Sequence, residues 1–306
     1  MSRLTDRKIV LVTRETRLDE LIRRHNTREQ AAFYVKSRGD DFSDFEQEDR
    51  SCKSAIQKVE STLQALGLVQ RLDRGFLPNF MFGPEDIVVV VGQDGLVANT
   101  LKYLTGQPVI AINPAPDRFD GVLLPFRADD VRAAMIKVLQ ARFKSKKISM
   151  AKAETNDGQR LLAVNDFFVG PKLPVSARYE IEVGGRREVQ SSSGIIISTG
   201  LGSTGWMKSV ITGSLAVAGQ AGAVKALAWD ARELRFAVRE PFPSRVTGTS
   251  LVYGVVCEQE QLALTSKSAE GVVLFSDGIV SDAIEFNAGS KLTIGLAEIS
   301  GTLVVK

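Results

Sequence analysis

Along the first half of the chain, short apolar runs alternate with longer segments whose apolar positions recur every three or four residues. Lys8 to Thr13 (KIVLVT), Ile87 to Val91 and Pro108 to Ile112 (PVIAI) are β-branched runs of the length expected of buried parallel strands. Between the first two, the polar segment Arg14 to Ser37 carries Leu18, Leu21, Ile22 and Ala32 at helical spacing. Cys52, Ile56, Val59, Leu63 and Leu66 then form one helical stripe, with Gly67 standing where a C-cap glycine belongs. Val131, Ala134, Met135, Val138 and Leu139 make another stripe. Strands alternating with helices predict crossover units and a parallel sheet.

The pattern changes after the basic tract Lys144-Ser145-Lys146-Lys147, which reads most simply as a solvated linker. Tyr179, Ile181 and Val183 alternate with polar neighbours, as in a half-buried strand. Asn156-Asp157-Gly158 and Gly184-Gly185 carry hairpin chemistry. Strand-like runs follow at Leu161 to Val169, Gly194 to Ile197, Leu251 to Cys257, Gly271 to Phe275, Asp282 to Phe286 and Leu292 to Leu296. The expected fold is therefore an α/β N-terminal domain with a parallel sheet (1–144), followed by an all-β, sandwich-like C-terminal domain (145–306). The last segment is a candidate to return to the first domain.

Composition narrows the function classes. Of 306 residues, 44% are hydrophobic and 25% charged, an ordinary globular mixture. A net charge of +3 from 39 basic and 36 acidic residues is too even to announce a nucleic-acid binder. No apolar run reaches membrane-span length, and the charged start Met1 to Arg7 is no secretory signal. Two distant cysteines, Cys52 and Cys257, suit a reduced, cytoplasmic protein without a cysteine metal site. The single histidine, His25, argues against imidazole metal sites and against a Ser-His-Asp triad; it reads as a solvated helix residue.

Three polar stretches sit beside predicted strands. Gly92-Gln93-Asp94-Gly95 follows Ile87 to Val91 directly. Ligands of open α/β sheets bind beyond the carboxyl ends of strands. Gly92 and Gly95 let backbone approach a phosphate, and a carboxylate at Asp94 can orient or deprotonate a hydroxyl. The simpler reading is a turn whose Asp caps a helix starting near Leu96. Asn165-Asp166 places two polar residues inside an apolar strand, so one needs a buried partner, unless the strand is a wet edge. Ser198 to Trp206 (STGLGSTGW) leads from a strand through glycines and hydroxyls into a helix from about Thr204, a set able to hold an anion. Trp206 offers a face for an adenine, or else fills a core beside a flexible loop.

These pieces, in this order, resemble the NAD kinase family, most closely its mitochondrial branch. That family carries a Gly-Gly-Asp-Gly-Thr loop, then an Asn-Glu pair, then a Thr-Gly-Ser-Thr-Ala-Tyr-like loop. Here they are Gly92-Gln93-Asp94-Gly95-Leu96, Asn165-Asp166 and Gly202-Ser203-Thr204-Gly205-Trp206, with Ser209 a few residues on. The mitochondrial likeness rests on Asn165 to Gly170, Ala177 to Ile181, Ser192-Ser193-Gly194, Trp206 and Asn113 to Pro125. The resemblance implies phosphoryl transfer from ATP, with Mg²⁺, to the 2′-hydroxyl of NAD. It implies Asp94 as base or orienter, Gly92 and Gly95 as phosphate-admitting positions, and Asn165 and Asp166 as adenosine contacts. Thr204, Gly205, Trp206 and Ser209 would line the same pocket. It also implies a homo-oligomer, a dimer whose β domains associate.

Departures qualify the likeness. Gln93 replaces a glycine, Leu96 a threonine and Asp166 a glutamate, while Ser193 stands where other branches carry a carboxylate. No Walker-type lysine exists, which leaves Arg14 and Arg17, just past the first strand, as candidate phosphate partners or else exposed helix arginines. Two other readings stay open: a lipid or sugar kinase using a related loop, and a catalytically silent NAD(P) sensor. A Rossmann dehydrogenase is disfavoured, because Arg14-Glu15-Thr16-Arg17 follows the first strand in place of a glycine-rich turn.

Overall fold

The structure, a computed structural model, describes residues 3–220, 222 and 225–306. Met1 and Ser2 of the charged start lie outside the described residues. The chain forms two compact units, one of 1–146 with 302–306 and the other of 147–301.

The first unit is built from β1 (Lys8–Thr13), α1 (Arg17–His25), α2 (Arg28–Lys36), α3 (Phe42–Gln64), β2 (Leu68–Asp73), β3 (Ile87–Val91), α4 (Asp94–Leu101), β4 (Pro108–Asn113), β5 (Phe126–Arg127) and α5 (Val131–Leu139). Its sheet runs β2-β1-β3-β4, with every pair parallel. Every residue of β3 is buried, and Ile9, Val10, Leu11 and Val12 of β1 are fully buried. Such strands need cover on both faces, which explains their unbroken apolar runs. One face packs Ile9, Leu11, Ile87 and Val89 against Ile56, Val59 and Leu63 of α3 and Met135 of α5. The chain leaves β1 toward β2 on one side and β3 toward β4 on the other. Their adjacent carboxyl ends are therefore a topological switch point. Thr302 and Leu303 complete the sheet by pairing with Pro108 and Val109.

The second unit comprises β6 (Lys144–Thr155, which starts in the first unit), β7 (Arg160–Ala163), β8 (Asp166–Pro171), β9 (Ala177–Val183), β10 (Arg186–Ser192), β11 (Ile195–Ser198), α6 (Trp206–Val217), β12 (Glu233–Val238), β13 (Tyr253–Cys257), β14 (Leu262–Ser266), β15 (Val272–Ser276), β16 (Ile279–Glu285) and β17 (Lys291–Val305, whose end returns to the first unit). An antiparallel sheet ordered β13-β12-β11-β8-β15-β16 faces strands β10-β9-β14-β17. Phe167, Ile195, Ile197, Phe236 and Leu274 meet Tyr179, Ile181, Leu264 and Ile294 in the core between them. On the outer face, Phe168, Ile196 and Ala237 are covered by Met207 and Trp206. The α/β unit with a parallel sheet and the antiparallel sandwich agree with the fold class expected from the periods.

Several local expectations are corrected. Arg14 to Ser37 is two helices, because Asn26 adopts a φ of 65° and Thr27 caps a fresh start. Gly67 is no left-handed cap; an added Cβ there would lie 2.9 Å from the Thr5 methyl, so close packing is what calls for glycine. The Lys144 to Lys147 tract is exposed but belongs to β6, so it is strand and not linker. Leu161 to Val169 is broken after Ala163. Strands including β2, β10, β12 and β14 escaped the periodicity, β2 because its exposed polar positions dilute the apolar signal.

Leu63→Ala, at a fully buried α3 position, should cost about 2–5 kcal/mol through lost contacts and the cavity left behind. Thermal unfolding checks this, and a Tm within a degree of the parent would contradict the packing of α3 against the sheet.

Candidate active site

At the switch point, β3 ends on Val91 and the chain turns through Gly92 and Gln93 into α4. Asp94 is the first residue of that helix, so the helix starts earlier than Leu96 and Asp94 does not cap it. Its carboxylate is held from outside: Leu123 N–H donates to Oδ1 at 2.8 Å and Val122 N–H to Oδ2 at 3.1 Å. These donors come from the loop after β4, shaped by Asn113, whose Oδ1 accepts from Ala115 N–H and whose Nδ2 donates to the Phe119 carbonyl. Gly121 completes the loop at a φ of +62°. Each carboxylate oxygen keeps lone-pair capacity for a hydroxyl, in a fixed orientation. Held by two N–H donors, the carboxylate suits an orienting role as much as a proton acceptor.

The two glycines differ. A Cβ on Gly92 would lie 2.8 Å from Leu96 Cδ2, so Gly92 is bare because Leu96 tucks against it. Gly95 is exposed, with nothing within 4 Å of an added Cβ, and leaves the helix start uncovered. Arg17 donates to Glu48 and Asp44, and Arg118 pairs with the same acids, so Arg17 is a structural ion-pair member. Arg14 instead reaches the glycine loop, its Nη1 donating to Gln93 Oε1 at 3.2 Å. Burial first, then Glu48 and Asp49, pushes the Cys52 thiol up to about 11, which makes it unreactive.

In the second unit, Asn165 and Asp166 lie at the break between β7 and β8 rather than inside a strand. The cause is Asp277, whose carboxylate accepts the backbone N–H groups of Val164, Asn165 and Asp166. Asp277 sits in the β15–β16 turn at a φ of 53°. Asp166 is only 7% exposed. Burial, with Asp277 nearby as the lesser cause, pushes its carboxyl up to about 7.

The hydroxyl loop closes onto this break. Thr199 Oγ1 donates to the Val164 carbonyl at 2.6 Å, and Thr199 N–H donates to the Asn165 carbonyl at 2.9 Å. Gly202 packs so closely that a Cβ would stand 2.1 Å from the Asn165 carbonyl oxygen. Ser203 is buried, donating to the Gly200 carbonyl and accepting Leu227 N–H. A turn of 3₁₀ helix, Gly202–Thr204, precedes α6, which starts at Trp206 and not at Thr204. Thr204, Gly205 and Ser209 are exposed around that start. Trp206 already stacks on Phe168, with centroids 5.3 Å apart and planes 20° apart, and lies near-parallel to Phe275 at 6.4 Å. Arg239 lies 5.7 Å over Trp206.

Thus Asn165, Asp166 and the hydroxyl loop share one locus, while Gly92, Asp94 and Gly95 share another at the switch point.

The architecture is a known one. It matches the crystal structure of yeast NADH kinase complexed with NADH at a TM-score of 0.60 and 14% identity, covering 99% of this chain and 84% of that one. It also matches an NAD kinase from Archaeoglobus fulgidus in complex with ATP at a TM-score of 0.57 and 17% identity, covering 96% and 92%. No protein-family model matches the sequence, and no curated protein matches it significantly. At such identities the likeness is one of fold.

Sequence reasoning missed three participants: Asp277, the Val122-Leu123 donors and Arg239. Asp277-Gly278 carried a turn signal that could have drawn attention to the first.

The raised Asp166 carboxyl makes stability pH-dependent. Its folded value exceeds the unfolded one, so its contribution is complete below about pH 4 and is lost as pH rises toward 7. Asp166→Asn, which does not titrate, should gain about 2–3 kcal/mol on the parent between pH 5 and pH 8. Denaturant unfolding at both pH values measures this; parallel pH profiles for the two proteins would refute the burial argument.

Proposed function

We propose that this protein is an NAD kinase-like phosphotransferase that moves the γ-phosphoryl group of ATP to the 2′-hydroxyl of NAD. The observation that carries the reading is Asp94. It is a carboxylate at the carboxyl end of a central parallel strand, held by Val122 and Leu123 N–H with capacity left for a hydroxyl. Support comes from the fold shared with proteins described as an NADH kinase complexed with NADH and an NAD kinase in complex with ATP.

In this reading Asp94 orients the ribose 2′-hydroxyl and accepts its proton. The 2′-oxygen forms a bond to the γ-phosphorus as the β,γ-bridging P–O bond breaks and ADP departs. Catalysis then rests chiefly on positioning and charge stabilisation. Gly95, open at the start of α4, admits phosphate oxygens to the backbone, and Gly92 lets the turn form around Leu96. Asn165, Asp166, Thr204, Gly205, Trp206 and Ser209 contact the dinucleotide. Asp166, pushed up to about 7, supplies a protonated carboxyl able to donate a hydrogen bond near neutral pH.

Among the described residues no group of three or more His, Cys, Asp or Glu is placed to hold a metal ion. In this reading Mg²⁺ would be carried by the nucleotide's phosphates and waters, with no dedicated cage among those residues. When bound, that ion neutralises phosphate charge. Association into a dimer is part of the same proposal.

Purified protein given ATP, Mg²⁺ and NAD should form NADP. Asp94→Asn should lower kcat by about 10²–10⁴-fold while NAD still binds by calorimetry. A modest fall in Tm should accompany it, because the amide NH₂ cannot accept one of the two loop N–H groups. No NADP from the wild-type chain, or full activity in the variant, would defeat the reading.

A further inference from the structure

A triphosphate arriving at the switch point brings concentrated negative charge, and this chain answers it without a Walker lysine. Cations near the carboxyl ends of β1 and β2 include Arg14, Arg17, Arg71, Arg74 and Arg118, and among the described residues Arg14 is the one that donates a hydrogen bond to the loop after β3. Arg17 and Arg118 are committed to Asp44 and Glu48. Arg71 donates to Thr13 Oγ1 and lies 3.8 Å from Glu60.

Arg14 is different. Its Nε donates to the neighbouring Glu15 carbonyl at 3.2 Å and its Nη1 to Gln93 Oε1 at 3.2 Å. The nearest acid, Glu20, stands 4.0 Å away, beyond hydrogen-bond reach, and is itself half exposed. A guanidinium has five N–H donors, and the remaining three of Arg14 have no hydrogen-bond acceptor among the described residues. The side chain keeps 25% of its surface exposed. The cleft that Arg14 lines together with Glu48, Cys52, Gly92, Gln93 and Pro114 holds only about 20 Å³. It has room for a water, so an anion must meet the guanidinium from the solvent side.

Gln93 explains the aim. A neutral amide oxygen orients a guanidinium without cancelling its charge, whereas a carboxylate at that position would neutralise it. Gln93 makes no side-chain bond to the start of α4, since its amide oxygen is turned to Arg14. The residue that departs from the resembled loop thus has a physical role.

We propose that Arg14, positioned by Gln93, is the phosphate-binding cation of this site and takes the polyphosphate of the nucleotide donor. The inference rests on the kinase reading for its place in a reaction, but it makes a claim about polyphosphate binding that stands or falls alone.

The test uses the full chain as wild type, Arg14→Ala, Arg14→Lys, Gln93→Gly and the Arg14→Ala/Gln93→Gly double variant. Each is titrated calorimetrically with inorganic tripolyphosphate, ATP and NAD, with Tm as a folding control. Loss of two or more charge-assisted hydrogen bonds should weaken tripolyphosphate and ATP at least about tenfold in Arg14→Ala. Arg14→Lys should recover part of this, and NAD affinity and Tm should stay unchanged. Gln93→Gly should weaken the same ligands by a smaller factor, with no further loss in the double variant, because the two side chains act as one unit.

Equal tripolyphosphate affinity in wild type and Arg14→Ala would overturn the assignment, as would no binding to the wild type. Additive losses in the double variant would overturn the role of Gln93. In the NADP assay, KM for ATP should rise with KM for NAD unchanged. Arg14-dependent tripolyphosphate binding without NADP formation would sink the kinase reading and leave the assignment standing. NADP formation with an unaltered KM for ATP in Arg14→Ala would do the reverse.

Discussion

Two strands with buried apolar cores lying side by side, β1 and β3, are the constraint on which the first unit depends. Being buried on both faces, they need layers on both sides, and being parallel, they need crossovers. The order β2-β1-β3-β4 sends those crossovers apart. What is left between the strand ends is a place where side chains from β1's exit and β3's exit meet without either connection covering them. Arg14 and Gln93 are those side chains, and they are hydrogen-bonded to each other.

The candidate sites share a second device, a carboxylate that organises backbone. Asp94 receives Val122 and Leu123 N–H, and Asp277 receives Val164, Asn165 and Asp166 N–H. In both cases the acceptor satisfies donors that regular secondary structure leaves unpaired, so irregular backbone can persist next to buried strands. At Asp277 the consequence is a charged neighbour for a buried second carboxyl. That arrangement costs stability at neutral pH and leaves Asp166 able to donate rather than only accept. Two carboxylates thus hold the backbone at the candidate sites, and structural hydroxyls such as Thr199 and Ser203 are distinct from the exposed Thr204 and Ser209.

Much of the fold was legible because burial writes itself into periodicity. KIVLVT coincides with β1, the stripe from Cys52 to Leu63 lies on α3 with Leu66 just past its end, and the alternation at Tyr179 marks the inward face of β9. Legibility failed where burial and period part company. Leu72 is the one buried residue of strand β2, and the 161–169 run looks continuous although it is interrupted. That interruption is imposed by a residue more than a hundred positions away, which no local window contains.

The same boundary separates what each level decided about the site. The sequence alone determined which chemical groups were available: a glycine turn with an aspartate after an apolar strand, a polar pair, a loop of hydroxyls, and no Walker lysine. Those are local properties, set by residue type and spacing. Only the tertiary structure decided how the groups are used. It took Arg17 into an ion pair while leaving Arg14 open, turned Gln93 toward that arginine, and tied Asp94 to a distant loop. The reason is that charge compensation and hydrogen-bond satisfaction depend on which atoms meet within about 3 Å, and the strand order settles those meetings.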